Sequence, residues 1–520
     1  MSERVHRSVM NIKVGMLFYI LSLLIAFFSR KVFLDCLGAE FIGLTGMLMN
    51  IMSFLSVAEL GIGISIAYFL YKPLQENNHN KINEVMSMLA YLYRCIGIII
   101  GIMGAIISLL FPWWFDNLTT GIFLVYFAFY SFLCTSMVGY IFNYRQLLLS
   151  ADQKQYIISA YFQTIGIVQN ITQILLAYYY RNLYLWVIVG LIFTFIGCIL
   201  LNHLVNKEYP WLKIDLKEGK RNLTQYPEVL KKTRQVFISR IKDFILNRSD
   251  ELMVGIFVSV TQVAFYGNYL IIINKIIYLV NILGDGMNAG VGNLIAEGNK
   301  KNIMKVFWEI TAIRFFIMGV VIFPMIIFLQ PFISCWVGPR FLLEDIIAYL
   351  LIFNLFLRLQ YSTTYLFLRS SGLYGDVWAT WAELIMNLTI TLVLAPLWGI
   401  IGILVGKIIS VSLFTFFWKP YYLFTKGFKK KVWEYWRTIL QYYSLFFAFG
   451  AFSIVLKNIL FDNYNTSSCL TLIIYGFLIT SGILILYFLS LFVSTRGMKY
   501  FVARKPVVYH ILNKIALIKC

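Results

Sequence analysis

The chain has 520 residues, of which 60% are hydrophobic and only 13% charged, and its mean hydropathy is +0.77. Apolar runs recur along it at about 20 residues each, the length that an α-helix needs to cross a bilayer. This composition excludes a soluble globular protein, and the continuous runs exclude a membrane β-barrel, whose strands alternate. The net charge of +20 does not indicate nucleic-acid binding, because the basic residues concentrate in short segments between the apolar runs.

We predict an all-α polytopic membrane protein with about fourteen transmembrane helices. No small-residue cleavage site follows the first apolar run, so we expect a retained first helix. In chain order the spans are residues 14–34, 43–71, 86–111, 121–144, 157–180, 183–205, 236–258, 265–295, 306–330, 345–368, 377–395, 400–418, 438–460 and 468–495.

The basic residues divide unevenly between the two sides of these spans. Thirty-one of the 44 Lys and Arg residues fall in segments on the side of the N-terminus, and five fall in the opposite loops or at the adjoining span ends. By the positive-inside rule, both termini are expected in the cytoplasm.

The longest connection, residues 206–235, contains eight basic residues and separates the first six spans from the next six. Similar residues recur in both halves in the same order: Gly43 and Asn50, for example, match Gly267 and Asn274 at an offset of 224. Six spans per half predict two parallel lobes related by a pseudo-two-fold axis along the membrane normal, followed by two further helices.

The predicted domains follow from this division. Residues 1–205 form the N-lobe with spans 1–6, and residues 206–235 form a cytoplasmic interfacial linker, in which an amphipathic helix is expected. Residues 236–422 form the C-lobe with spans 7–12. Residues 423–520 hold the last two spans and a cytoplasmic tail.

The seventh span, residues 236–258, carries six charged residues, each of which costs about 2.5–3.5 kcal/mol at the centre of a membrane. At helical spacing most of its polar residues share roughly a 160° arc, which predicts a helix facing a polar cavity. The alternative is that the charges only neutralise one another. The residues on the arc are Arg240, Asp243, Asn247, Arg248, Asp250 and Glu251.

Cations outnumber acids inside the predicted spans, which indicates an anionic ligand. Each candidate has a structural alternative. Arg30 lies near Asp35 at a span end and could reach the interface, while Arg248 could pair with Glu251 one turn away.

Lys275 shares a polar stripe with other residues of its helix, and Arg358 lies between leucines without an acidic neighbour in sequence. Arg145 is expected at the cytoplasmic mouth of a cavity. Glu59 is a membrane acid that could bind a proton or sodium, or could form an inter-helix hydrogen bond.

Seven cysteines and four histidines are dispersed, so we expect neither a disulfide framework nor a metal site. The sequence contains no Ser–His arrangement, no DxD-type metal motif and no nucleotide-binding loop. These observations argue for a transporter rather than an enzyme.

Two clusters of motifs carry a resemblance to a known family. The first comprises SRKVFLDCLGAEFIGL (residues 29–44), AELGIG (58–63) and YKPL (71–74). The second comprises NRSDELMVGIFVS (247–259), VAFYGNYLII (263–272) and VGNLIAE (291–297). Together they closely resemble the Wzx-type oligosaccharide flippases, polysaccharide biosynthesis proteins of the multidrug/oligosaccharidyl-lipid/polysaccharide exporter superfamily.

The resemblance implies translocation of undecaprenyl-pyrophosphate-linked oligosaccharide from the cytoplasmic to the periplasmic leaflet of a bacterial inner membrane. It implies alternating access, a product destined for O-antigen, capsule or exopolysaccharide, and membrane lipids, a polysaccharide polymerase and a chain-length regulator as partners. No cofactor is expected beyond coupling to H⁺ or Na⁺.

One guanidinium group can donate two parallel hydrogen bonds to phosphoryl oxygens, so the basic candidates suit the pyrophosphate of such a substrate. The predicted substrate-binding residues are Arg30, Arg145, Arg240, Arg248, Lys275 and Arg358. The predicted coupling or gating residues are Glu59, Asp243, Asp250 and Glu251.

Other functions remain open from the sequence. The same superfamily includes lipid II-type flippases and cation-coupled drug exporters. The first span has no acidic residue before Asp35 and no proline, which argues against the drug exporters. An O-antigen polymerase or ligase is a more distant alternative, because such enzymes have a large periplasmic loop and the outward loops here are short.

Overall fold

A computed structural model of the chain describes residues 3–59, 62–116, 118–152, 154–225, 227–285, 288–373, 375–463 and 469–504. The side chains of some helical residues, including residues 3–16 and much of 224–243, lie outside this description. The described residues are helical almost throughout, as the continuous apolar runs predict. Contacts divide the chain into two compact units, residues 1–267 and 268–520.

The first unit contains eleven helices and the start of a twelfth. They are α1 (Glu3–Leu37), α2 (Ala39–Leu55), α3 (Ile62–Gln75), α4 (His79–Ser108), α5 (Phe111–Trp114), α6 (Ile122–Phe142), α7 (Gln146–Ala151), α8 (Gln155–Tyr180), α9 (Leu183–Glu208), α10 (Leu216–Gln225), α11 (Pro227–Phe257) and α12 (Val260–Asp285).

The second unit takes the remainder of α12 and nine further helices. They are α13 (Asn288–Glu297), α14 (Lys300–Trp336), α15 (Asp345–Ser370), α16 (Val377–Trp398), α17 (Ile400–Val411), α18 (Lys419–Tyr422), α19 (Val432–Asn463), α20 (Cys469–Ser494) and α21 (Arg496–Ala503).

Helices occupy all fourteen predicted spans. Within the described residues nine of them are long and apolar enough to cross a membrane, and the bent pair α20 and α21 would make a tenth. The second predicted span is broken: a 3₁₀ turn, Ser56–Glu59, separates α2 from α3. The twelfth span is longer than predicted, since helical structure continues from Ile400 to Gly427.

The seventh span, within α11, packs against α2 and α3 in the first unit. The contacts therefore divide the chain after Gly267. The predicted C-lobe instead begins at residue 236, directly after the predicted linker. The predicted lobes are defined by an internal repeat rather than by contacts, so their boundaries stay a prediction.

Small residues allow the helices of the first unit to approach closely. A Cβ atom on Gly43 of α2 would lie 1.9 Å from the carbonyl oxygen of Val260, at the start of α12. On α11 a Cβ atom at Gly255 would lie 2.6 Å from the sulfur of Met47. Only glycine at position 43 permits the backbone contact that brings α12 against α2, whereas the Met47 side chain could move to admit a side chain at position 255.

The predicted linker contains a helix, α10, which packs against α4. Two side chains of α4 accept hydrogen bonds from the linker backbone: Asn83 Oδ1 from the amide of Lys213 at 3.1 Å, and Ser87 Oγ from that of Asp215 at 3.1 Å. The linker is therefore held on the first unit by its own backbone groups.

A charged node lies at the same loop region. Lys154 Nζ bonds Glu208 at 2.9 Å and Asp152 at 3.0 Å, and Asp152 accepts a hydrogen bond from the Tyr209 hydroxyl at 2.8 Å. Burial alone would lower the pKa of Lys154, but its hydrogen bonds to the two carboxylates raise that pKa above its usual value.

One cysteine departs from the sequence prediction. Cys335, near the end of α14, is disulfide-bonded, whereas Cys36, Cys95, Cys134 and Cys198 are free. The absence of close cysteine spacing gave no sign of this bond, because a disulfide can join residues that are distant in sequence.

The close approach at Gly43 predicts a sharp difference between two glycines of α2. Gly43→Ala should lower the free energy of unfolding by roughly 1–3 kcal/mol, because the new methyl group forces the backbones of α2 and α12 apart. Gly46→Ala is the matched control, since its Cβ atom would meet Val263 at an ordinary 3.5 Å. Thermal unfolding of the purified protein in detergent measures both, and equal melting temperatures for the two variants would contradict this packing.

Candidate functional site

Arg30, near the end of α1, points into the first unit. Its Nη2 donates a hydrogen bond to the carbonyl oxygen of Ala264 at 2.9 Å, in the first turns of α12. Gly267 faces the same nitrogen, and a Cβ atom there would lie only 3.1 Å from it. The start of α12 therefore supplies both an acceptor and the space for the guanidinium.

Glu251 on α11 is the acidic partner within the same group. It accepts a hydrogen bond from the side-chain amide of Asn50, which also donates to the Gly46 carbonyl at 2.9 Å. Glu251 interacts electrostatically with Arg248, Arg30 and the neighbouring Asp250. A carboxylate on α11 thus links groups from α1 and α2.

We call Arg30, Asn50, Asp250, Glu251 and Tyr266 the buried polar cluster, in which Arg30 and Glu251 are half-buried and the other three residues are buried. Asp250 is only 9% exposed, and Tyr266, which is 1% exposed, lies beside the two acids. Arg248 is exposed at the edge of the cluster and interacts with Glu251. With Arg248 included, two guanidinium groups face two carboxylates, so the formal charges balance.

This balance has a chemical consequence. A charged arginine in a membrane interior is tolerated when an acid and a hydrogen-bond acceptor face it, as Glu251 and Ala264 do here. An incoming anion would compete with Glu251 for Arg30. The substrate-binding roles of Arg30 and Arg248 and the coupling or gating roles of Asp250 and Glu251 stay predictions.

Glu59 lies at a second polar position, in the 3₁₀ turn between α2 and α3. Its Oε1 accepts a hydrogen bond from the Tyr93 hydroxyl of α4 at 2.7 Å, and Tyr140 of α6 interacts with it electrostatically. The inter-helix hydrogen bond considered from the sequence is therefore present. The coupling role of Glu59 stays a prediction.

Arg145 donates a hydrogen bond to the side-chain oxygen of Asn206 at 2.9 Å, near the end of α9. It follows α6 directly, in a short 3₁₀ turn. Its hydrogen-bond partner, Asn206, does not belong to the buried polar cluster. The structure therefore does not bring Arg145 together with that cluster.

Two predicted residues lie in the second unit. Lys275 is half-buried on α12, and Arg358 is exposed on α15 between the buried Leu357 and Leu359. The backbones of Arg240 and Asp243 lie on α11, but their side chains fall outside the described part of the chain. The binding and gating roles assigned to all four residues stay predictions.

Asn50 and Tyr266 were not among the site residues predicted from the sequence. Asn50 appeared only as a matching residue in the internal repeat, and Tyr266 only inside the VAFYGNYLII motif. Both could have been noticed, because a buried amide or hydroxyl in a membrane helix requires a partner. Among the described residues no group of three or more His, Cys, Asp or Glu could hold a metal ion.

The chain matches no protein-family model and no curated protein. Solved structures do share its fold. "Lipid II flippase MurJ, inward closed conformation" is 16% identical, with a TM-score of 0.64, covering 92% of this chain and 98% of that one. An inward-facing multidrug resistance MATE family transporter of the MOP superfamily is 14% identical, with a TM-score of 0.60, covering 81% and 98%.

A MATE protein in the bent conformation is similar at 14% identity and a TM-score of 0.50, over 82% of this chain and 99% of that one. At such identities the likeness defines a fold. The chain shares the helical fold of these structures, which confirms the predicted all-α membrane fold class.

The electrostatic interaction between Arg30 and Glu251 predicts non-additive stabilities. Arg30→Gln and Glu251→Gln should each destabilise the first unit, because each removes one partner of this interaction and leaves the other charge less well compensated. The double variant should recover roughly 1–3 kcal/mol relative to the sum of the single changes. Unfolding of the four proteins in detergent gives this coupling energy. A sum that is additive within error would show that the two groups do not act on each other.

Proposed function

We propose that this chain is a flippase for undecaprenyl-pyrophosphate-linked oligosaccharide, which it moves from the cytoplasmic to the periplasmic leaflet of a bacterial inner membrane. The substrate's pyrophosphate is the part that cannot cross lipid unaided, so the protein has to supply cationic partners along the path. The proposal rests on the fold, on the motif resemblance and above all on Arg30, which is half-buried and hydrogen-bonded inside the first unit.

Arg30 suits this role because of its chemistry and its surroundings. A guanidinium keeps its charge when buried and presents paired donors that match phosphoryl oxygens, which a lysine cannot do. Arg30 also donates a hydrogen bond to the backbone carbonyl of Ala264. A phosphoryl oxygen, which is a stronger acceptor, could replace that carbonyl without breaking α12. The pyrophosphate would take the place of Glu251 beside Arg30.

The same exchange couples transport to protons. When the pyrophosphate approaches, Glu251 loses its electrostatic partner, and a proton on its carboxylate removes the repulsion between the two acids Glu251 and Asp250. Release of the substrate on the other side would return Glu251 to Arg30 and discharge the proton there, so one proton would leave the cytoplasm with each substrate. We therefore propose H⁺ rather than Na⁺ as the ion bound together with the substrate, and an inward proton gradient would oppose this step rather than drive it.

A drug exporter is the alternative, since MATE transporters share the fold. A cationic drug would require acids that are free to receive it, whereas Glu251 accepts a hydrogen bond from Asn50 and interacts with Arg30. The half-buried arginine favours an anionic substrate. A lipid II-type substrate, which is also a lipid-linked saccharide, remains closer to the proposal than a drug.

The orientation is part of the proposal. We infer cytoplasmic termini from the distribution of basic residues. The ninth predicted span, which lies within α14, then ends on the periplasmic side. An oxidising environment there maintains disulfides such as that of Cys335. A polysaccharide polymerase and a chain-length regulator would act on the product there.

Transport in proteoliposomes tests the proposal. We expect the protein to move a fluorescent undecaprenyl-pyrophosphate oligosaccharide between leaflets, and Arg30→Gln to slow this by about tenfold or more, as loss of a buried charge-assisted contact implies. Arg30→Lys should recover part of the rate, because it keeps the charge but loses the paired donors.

Lys72→Gln is the matched control, because Lys72 is 84% exposed and forms only a surface ion pair with Glu76. It should transport at the wild-type rate. Equal rates for Arg30→Gln and Lys72→Gln would remove Arg30 from the mechanism. Failure of the wild-type protein to move this lipid, together with gradient-driven efflux of cationic dyes, would favour the drug exporter.

A further inference from the structure

The last described helix, α21, turns away from the membrane-spanning direction. It follows α20 at a bend of 100°, and the break falls at Thr495, whose hydroxyl donates to the Leu491 carbonyl at 2.7 Å. Because α20 is an apolar span, a helix nearly perpendicular to it runs close to parallel with the membrane surface. This is the geometry of an interfacial helix.

The underside of α21 is fixed on α14. Met498 and Val502 are buried, and a Cβ atom on Gly497 would lie 2.1 Å from the carbonyl oxygen of Trp308. Such a close backbone approach fixes the position of α21 on α14. The face of α21 opposite Gly497 therefore points away from α14.

An ion pair at the end of α21 completes this attachment. Arg504 Nη2 lies 2.6 Å from Glu309 Oε2, and Glu309 is only 4% exposed. Arg504 thereby compensates the buried acid of α14. The other basic residues at the start of α14 and on α21 form no such ion pair with a carboxylate among the described residues.

Five of those residues form what we call the basic face, made of Lys300, Lys301 and Lys305 from α14 and Arg496 and Lys499 from α21. Lys305 Nζ lies 5.4 Å from the ring centroid of Tyr500, which joins the two helices' cations into one region. No ion pair links any of the five to another residue in the described ranges. Among the described residues their charge is therefore not compensated by an ion pair.

We propose that the basic face binds the head groups of anionic phospholipids. Uncompensated cations at the level of the membrane surface attract anionic lipids, and each Lys or Arg adds appreciably to the affinity. Tyr500, 38% exposed on the same helix, has the amphipathic ring that is favoured at head-group depth. The site is independent of the transported substrate, and it fastens α14 and α21 to the same leaflet.

Lipid titration of the purified full-length protein tests this proposal. Native mass spectrometry would give the apparent Kd for phosphatidylglycerol and, separately, for zwitterionic phosphatidylcholine. The test variant is Lys300→Gln/Lys301→Gln/Arg496→Gln/Lys499→Gln. We expect it to bind phosphatidylglycerol on the order of 100-fold more weakly, with phosphatidylcholine unaffected.

Two controls separate this face from total charge and from misfolding. A second quadruple variant, Lys217→Gln/Lys220→Gln/Lys426→Gln/Lys429→Gln, removes four exposed cations elsewhere and should retain tight binding. The charge-preserving variant Lys300→Arg/Lys301→Arg/Lys499→Arg should also retain it.

Each contrary outcome is distinct. Equal weakening by the two quadruple variants would show that net charge, not the basic face, holds the lipid. Equal affinities of the wild-type protein for the two lipids would also overturn the proposal. Displacement of phosphatidylglycerol by inorganic phosphate, but not by chloride at the same ionic strength, would assign the face to free phosphate instead.

Discussion

The interaction between Arg30 and Glu251 is the constraint on which the first unit depends. A guanidinium in the interior of a membrane protein requires both an acid and hydrogen-bond acceptors. Glu251 supplies the acid from α11, and Ala264 supplies the acceptor from α12. Gly43 then has to be glycine, because a side chain there would separate α12 from α2 and so move the acceptor. Charge, hydrogen bonding and helix packing thus share one arrangement.

This arrangement also explains why α11 carries so many charges and still folds with apolar helices. Glu251 interacts with Arg30 and accepts a hydrogen bond from Asn50, and Arg248 at the exposed edge also interacts with Glu251. A membrane helix with paired charges is stable in place but sensitive to any ligand that competes for one partner. Under the proposed function, stability and transport would therefore depend on the same contacts, and an anionic substrate and a proton would act at the same site.

The sequence predicted the helices well, because apolar length and charge asymmetry are local properties. It also singled out Arg30, Arg248, Asp250 and Glu251, since a charge inside an apolar run is visible without a structure. Asn50 and Tyr266 were missed because their importance lies in what they touch. The break at Ser56–Glu59, the seating of α21 on Trp308 and the disulfide at Cys335 likewise depend on tertiary contacts.

Proton uptake on substrate binding tests the central claim most directly. Isothermal titration of the detergent-solubilised protein with undecaprenyl pyrophosphate, in buffers of different ionisation enthalpy, measures the number of protons taken up. The exchange at Arg30 predicts uptake approaching one proton near neutral pH, and Glu251→Gln should abolish the uptake while leaving binding measurable. Binding without proton uptake, or the same uptake in the Glu251→Gln variant, would contradict the account.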